Sequence, residues 1–227
     1  MSFLGSFRAR IYYKRGRTYL EQGQHYSTVQ DSHSATNCVK RAVLSFINAI
    51  TSEPANIEAW MGLASANVAL GQLESAIEDY KKIISLMPDN AQAHYNLGLT
   101  YQHLGKNEEA ISCYEQAIRI TPDYSLPYNN IGATKIELGL YEEAIEALKK
   151  AVSLKSDFVE ALYNLASAYC HVADYTRAAD TCKRLTEIQP EHTYAHKLLA
   201  GIEAMQTEET GAGTFQDVPD TVNTEKR

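Results

Sequence analysis

Three asparagines, Asn96, Asn130 and Asn164, follow one another at intervals of 34 residues. A carboxamide offers one acceptor and two donors, so a row of them can bond both the C=O and the N–H of an extended foreign backbone, whatever its side chains are. Asparagine is a mediocre helix former that competes with the backbone for hydrogen bonds, so its return inside a helical pattern needs a cause beyond propensity. Two other causes stand beside backbone reading: bridging or capping of neighbouring helices, and duplication of one repeat. Tyr95 and Tyr163 precede two of the amides, and Leu99, His103 and His171 follow on the same expected face. One hydrogen bond contributes about 1 kcal/mol net, so a few amides alone give only millimolar affinity. Stacking or apolar burial on the tyrosines, at roughly one or two kcal/mol each, raises the expected affinity to micromolar. The same tyrosines read equally well as cover for neighbouring helices.

Other chemistry is not legible. His192 and His196 are four apart without the acidic residue of an H-E-x-x-H zinc motif. Glu108-Glu109 and Glu142-Glu143 open helices, where carboxylates suit the dipole. Neither a Gly-rich phosphate loop nor a nucleophile elbow occurs. Cys38, Cys113, Cys170 and Cys182 lack paired spacing and sit inside helical patterns, which reads as buried reduced thiols. The expectation is a non-enzyme with no catalytic residue, no metal ligands and no cofactor.

What positions the amides is a register that runs through most of the chain. Stepping by 34 from Pro122 gives Pro88 and Pro54 backwards, then Ser156 and Pro190 forwards. Ala110 gives Ala76, Ala42, Ala144 and Ala178, and Gly98 gives Ala64, Gly132, Ala166 and Ala200. Small residues at both series predict helices that approach closely. Gly71, Gly105 and Gly139 mark the ends of first helices. With Leu97, Gly98, Tyr101, Ala110, Tyr114, Ala117 and Pro122 in place, the chain resembles a tetratricopeptide repeat protein over roughly residues 6 to 205. Asn67 and Lys135 depart from the family's Tyr, and Ser156 departs from its Pro.

The resemblance implies an all-α, right-handed α-solenoid of helix-turn-helix repeats with a C-terminal capping helix. Residues 1–56 read as an irregular N-terminal repeat with an inserted loop at His25 to Asn37, followed by four regular units over 57–192, a capping helix at 193–205 and a disordered tail at 206–227. In such arrays the first helix of each unit lines a concave wall, with unit positions 2, 5, 6, 9, 12 and 13 facing inward. Position 6 holds the three asparagines, a row similar to the asparagine ladder in the repeat region of O-GlcNAc transferases, whose catalytic domain is not among these residues. The two-carboxylate clamp of some relatives needs Lys and Asn where Met61 and Ser65 stand, and Lys and Arg where Leu126 and Asn130 stand, and is rejected although Asn96 fits.

Charge is uneven. Residues 1–50 carry +5 and the remainder −12, so nucleic acid is not expected as a partner of the acidic part. Arg8, Arg10, Lys14, Arg15 and Arg17 alternate with Phe3, Leu4, Phe7 and Ile11, a pattern that suits either an anionic surface or an ordinary helix with a solvated basic side. Charges interrupt the start where a signal peptide has its apolar core, so the expected location is cytoplasmic or peripheral to the cytoplasmic face of a membrane. The expected function is a scaffold or adaptor that binds a protein or peptide in extended conformation along the concave groove. The second reading is a self-assembling scaffold, a homo-oligomer docked on a membrane surface through the basic end.

Overall fold

The computed structural model describes residues 3–28 and 31–208 of the chain. These residues form eleven α-helices and no strand, divided between two compact units, Met1–Ile120 and Thr121–Arg227. The first unit holds α1 (Phe3–Thr28), α2 (Ser32–Ser52), α3 (Ile57–Ala69), α4 (Leu73–Leu86), α5 (Ala91–His103) and α6 (Asn107–Ile120). The second holds α7 (Ser125–Glu137), α8 (Tyr141–Leu154), α9 (Val159–His171), α10 (Tyr175–Ile188) and α11 (Thr193–Glu208). Within each unit, consecutive helices pack as neighbours.

Local chemistry fixes the helix limits. Asn56 and Asn90 accept the Ala59 and Ala93 backbone N–H at 2.9 Å, each satisfying a donor that the first turn leaves open. The first helices are followed by a left-handed residue: Gly71, Gly105 and Gly139 at φ near +70°, and after α9 the non-glycine Ala173 at φ +57°. The expected loop at His25 to Asn37 is instead helical on both sides, as α1 continues through Thr28 and α2 starts at Ser32. Asp31 caps α2 by accepting the Ser34 N–H at 3.0 Å. The insertion therefore lengthens two helices, and His25, Ser27, Thr28, Ser32, His33, Thr36 and Asn37 are exposed on those extensions. The expected disordered tail is helical to Glu208, and residues 209–227 lie outside the described part.

The small-residue series marks close approach. A Cβ on Gly98 would lie 2.6 Å from the Tyr114 ring, and one on Gly132 would collide with Leu148. Ala42, Ala76, Ala110, Ala144 and Ala178 are fully buried. Ala200 is exposed, because α11 has no second helix after it among the described residues; α11 buries Ala195, Leu198 and Ile202 instead.

Two further series tie the repeats together. At unit position 4, Trp60 Nε1 and Tyr128 Oη donate to the carbonyls of Pro54 and Pro122 at 2.9 and 3.3 Å. His94 and His196 place Nε2 3.0 and 2.7 Å from the carbonyls of Pro88 and Pro190. Leu162 has no donor at this position, and there Arg184 donates to the Ser156 carbonyl from α10. At position 11 each unit finds a partner on its own second helix or turn. Tyr101 lies under Lys106 and Tyr169 under Arg177. The departures are compensated likewise: Asn67 Nδ2 donates to Asp79 Oδ2 at 2.7 Å, and Lys135 Nζ pairs with Glu143 at 2.6 Å. Asp79 is buried, and loss of water pushes its carboxyl up to about 6 against the relief from Asn67.

Candidate protein-binding surface

On α5, the residues spaced 92, 96, 99 and 103 form one helical stripe, and the structure leaves that stripe open. Gln92 and His103 are exposed, while Asn96 and Leu99 are half-buried. Ala93, Leu97, Gly98 and Thr100 on the other side are buried. The Asn96 side chain shares a hydrogen bond with the buried Tyr80 hydroxyl, which Ser65 also contacts, so the amide is held in place. The equivalent stripe of α3 carries Glu58, Gly62, Ser65 and Ala69, all exposed except Gly62.

In the second unit, α7 is open at Leu126, Asn130, Ala133 and Glu137, with the outer two exposed and the inner two half-buried. Asn129 Nδ2 donates to Asn130 Oδ1 at 3.2 Å, and Asn164 Nδ2 donates to Asn129 Oδ1 at 3.1 Å. Three amides thus form a chain across α7 and α9. Asn164 is only 2 % exposed, and every residue from Ala161 to Cys170 is buried. Asn164 Oδ1 and the Ser167 hydroxyl are buried without a hydrogen-bond partner among the described residues.

The sequence-predicted residues therefore divide. Asn96, Asn130, Leu99 and His103 lie where a ligand can reach them. Asn164 does not: its amide is spent on Asn129 inside the second unit. The two tyrosines are core rather than pocket walls. Tyr95, 7 % exposed, packs with its ring centre 5.8 Å from that of Tyr114. Tyr163, 2 % exposed, sits 5.7 Å from His192 and 6.3 Å from Tyr194. Burial pushes the Tyr163 phenol above its ordinary range. His171 is half-buried, stacked on Tyr141 at 4.3 Å with an angle of 2° between the rings. What the sequence reading missed is Asn129. At unit position 5, where two other units have Tyr, it is a third amide placed to draw Asn164 inward, and the Asn129-Asn130 doublet was its signal.

Elsewhere the chemistry is quiet. The four cysteines are free, and burial holds the thiols of Cys113, Cys170 and Cys182 up at about 11, 12 and 11, protonated at neutral pH. Among the described residues no three His, Cys, Asp or Glu side chains gather as a metal site. Arg8, Arg10, Lys14, Arg15 and Arg17 are all exposed on α1, with Arg17 paired to Glu21 at 3.1 Å. No helix among the described residues is long and apolar enough to cross a membrane.

Comparison with known proteins places the architecture. Models of the tetratricopeptide repeat match residues 89–157 and 135–202, and a TPR repeat model matches 65–105, so together they span 65–202. A crystal structure of MamA superposes with a TM-score of 0.63 at 25% identity, covering 74% of this chain and 95% of that one. YrrB, described as a TPR protein with an unusual peptide-binding site, gives 0.60 at 18% identity over 82% and 90%. The first TPR of Spaghetti (RPAP3), solved with the HSP90 peptide SRMEEVD, gives 0.51 at 22% over 52% and 93%. No match was found among curated proteins. The repeat architecture and these likenesses support a protein-interaction scaffold. The chain belongs to the tetratricopeptide repeat family.

Proposed function

We propose that this protein is a non-catalytic adaptor that holds an extended segment of another protein against the open stripe of α5. The observation that carries the reading is the line Gln92, Asn96, Leu99, His103: an amide, a second amide, an apolar side chain and an imidazole on one accessible helix face. At 1.5 Å per residue this stripe is about 16 Å long, the reach of roughly five residues of extended chain. Asn96 is oriented by Tyr80, and Asn130 by Asn129, so both amides are partly organised before a ligand arrives. In the amide row, Asn96 is the accessible amide of the first unit and Asn130 that of the second, whereas Asn164 is buried.

A peptide selected from a randomised display library against the intact protein serves as the probe. Its affinity is expected to fall about fivefold in Asn96→Ala, the value of one hydrogen bond. Leu99→Ala should weaken it further, and Asn164→Ala should leave it unchanged in protein that stays folded. Binding that ignores both Asn96→Ala and Leu99→Ala would remove this face from the account.

A further inference from the structure

The outer side of α1 combines two features that solvent alone does not explain. Phe7 is 57 % exposed and Ile11 47 % exposed, although both are large apolar side chains on a helix whose other face is well packed. They lie with Lys14 at spacings of four and three, one line along the helix. Arg10 and Arg17 flank that line on one side, and Arg8 and Arg15 on the other. Ala9, Gly16 and Gly23, the buried residues of α1, fall on the opposite face. The charge is also one-sided. Residues 1–20 contain no acid, α2 contains none, and Glu21, the one acid of α1, is held by Arg17. On α2, Lys40 and Arg41 are exposed, with Arg41 over the Tyr19 ring at 5.0 Å.

We infer that the outer face of α1 docks on an anionic lipid surface, with Phe7 and Ile11 entering between headgroups that the flanking cations hold. A lipid surface is the occupant that answers both features together. Long basic side chains beside an apolar line can reach up to phosphates while their stems and the apolar residues stay below. A purely polar polyanion such as RNA would reward the cations and gain nothing from Ile11. The net charge of −12 on residues 51–227 is repelled by the same surface, which confines the contact to the first two helices.

The test is flotation of the full chain with vesicles of phosphatidylcholine alone and of phosphatidylcholine with phosphatidylserine. Association is expected with the anionic vesicles only, and it should be released as added salt shortens the screening length from about 8 Å towards 3 Å. Each cation near the surface is worth about fivefold in binding. Arg10→Gln with Lys14→Gln should therefore cost about 25-fold, and Phe7→Ser with Ile11→Ser at least tenfold. All four side chains are exposed, so circular dichroism and the affinity for the selected peptide should not change. Equal flotation with neutral vesicles, or binding that survives both double variants, overturns the inference. So does finding that the variants abolish instead an oligomer seen by light scattering, or binding to RNA, either of which makes the face a contact of another kind.

Discussion

Helices α5 and α9 carry the same triplet at the same place in the repeat, Tyr95-Asn96-Leu97 and Tyr163-Asn164-Leu165, yet one amide faces a reachable stripe and the other is sealed. The local sequence cannot be the cause. The difference lies in the neighbours. Position 5 of the preceding unit is Met61 before α5, whose thioether is a weak acceptor at best, and Asn129 before α9, whose Oδ1 accepts the Asn164 N–H. Tyr163 is closed over as well by His192 and Tyr194, the ring of Tyr194 standing near the start of α11. A repeated residue is thus a repeated opportunity, and the residue one unit earlier decides whether it is a rung or a brace.

The strongest way to break this comparison is to put a charge at each amide. Asn164→Asp would bury a carboxylate against Asn129 Oδ1, with no cation to meet it, and is expected to cost about 3 kcal/mol or more. Asn96→Asp sits half-exposed beside the Tyr80 hydroxyl, a donor, and should stay within about 1 kcal/mol. Urea denaturation of the two variants measures both; similar losses would mean that the two faces are not different. Next in size is a buried charge that the first unit already holds. The Asp79 carboxyl has a folded value of about 6, above its ordinary 3.8, because burial disfavours the ion. The unfolded chain then binds fewer protons than the folded one between those values, so this site's contribution to stability falls as pH rises through that window. Asp79→Asn keeps an acceptor for Asn67 and removes the ion. It should stabilise by about 2 to 3 kcal/mol at neutral pH, with the gain fading below about pH 4. A gain that does not vary with pH would show that the carboxylate is not its source.

A smaller loss sharpens the neighbour argument. Asn129→Met gives α9 the neighbour that α5 has, and it leaves Asn164 with no partner at either end of its amide. Stranding a buried donor should cost about 1 to 3 kcal/mol, relieved if Asn164→Ala is added. Additive losses in the double variant would mean that the two amides do not depend on one another.

These cases show what the sequence could and could not carry. The 34-residue register, with Gly98 against Tyr114 and Gly132 against Leu148, was legible because backbone approach excludes larger side chains whatever surrounds them. The stretch from His25 to Asn37 was not, since a helix extended into solvent loses the apolar period by which helices are recognised. Asn67 and Lys135 looked like departures from the repeat, and their compensation by Asp79 and Glu143 depends on residues twelve and eight positions away. Tyr95 and Tyr163 read equally well as pocket walls or as cover for neighbouring helices, and the choice was not legible for a similar reason. A tyrosine at that position is reachable only if the next layer leaves it so, and spacing along one helix does not contain the next layer.

The last difference between the two helices is how they stop. The turn after α5 uses Gly105 at φ +70°, whereas the turn after α9 puts Ala173 in the same left-handed region at φ +57°. A Cβ there clashes with its own backbone, at a cost of roughly 1 kcal/mol that glycine avoids. Ala173 is exposed, so its methyl gains little packing in return. Ala173→Gly is therefore expected to stabilise by about 0.5 to 1 kcal/mol, the strain relief being partly offset by the extra freedom glycine gives the unfolded chain. Gly105→Ala should destabilise by a similar amount, since space around Gly105 is open and only the backbone angle opposes the change. Thermal unfolding of the pair checks both signs at once, and a destabilised Ala173→Gly would show that the methyl at 173 does more for the turn than its strain takes away.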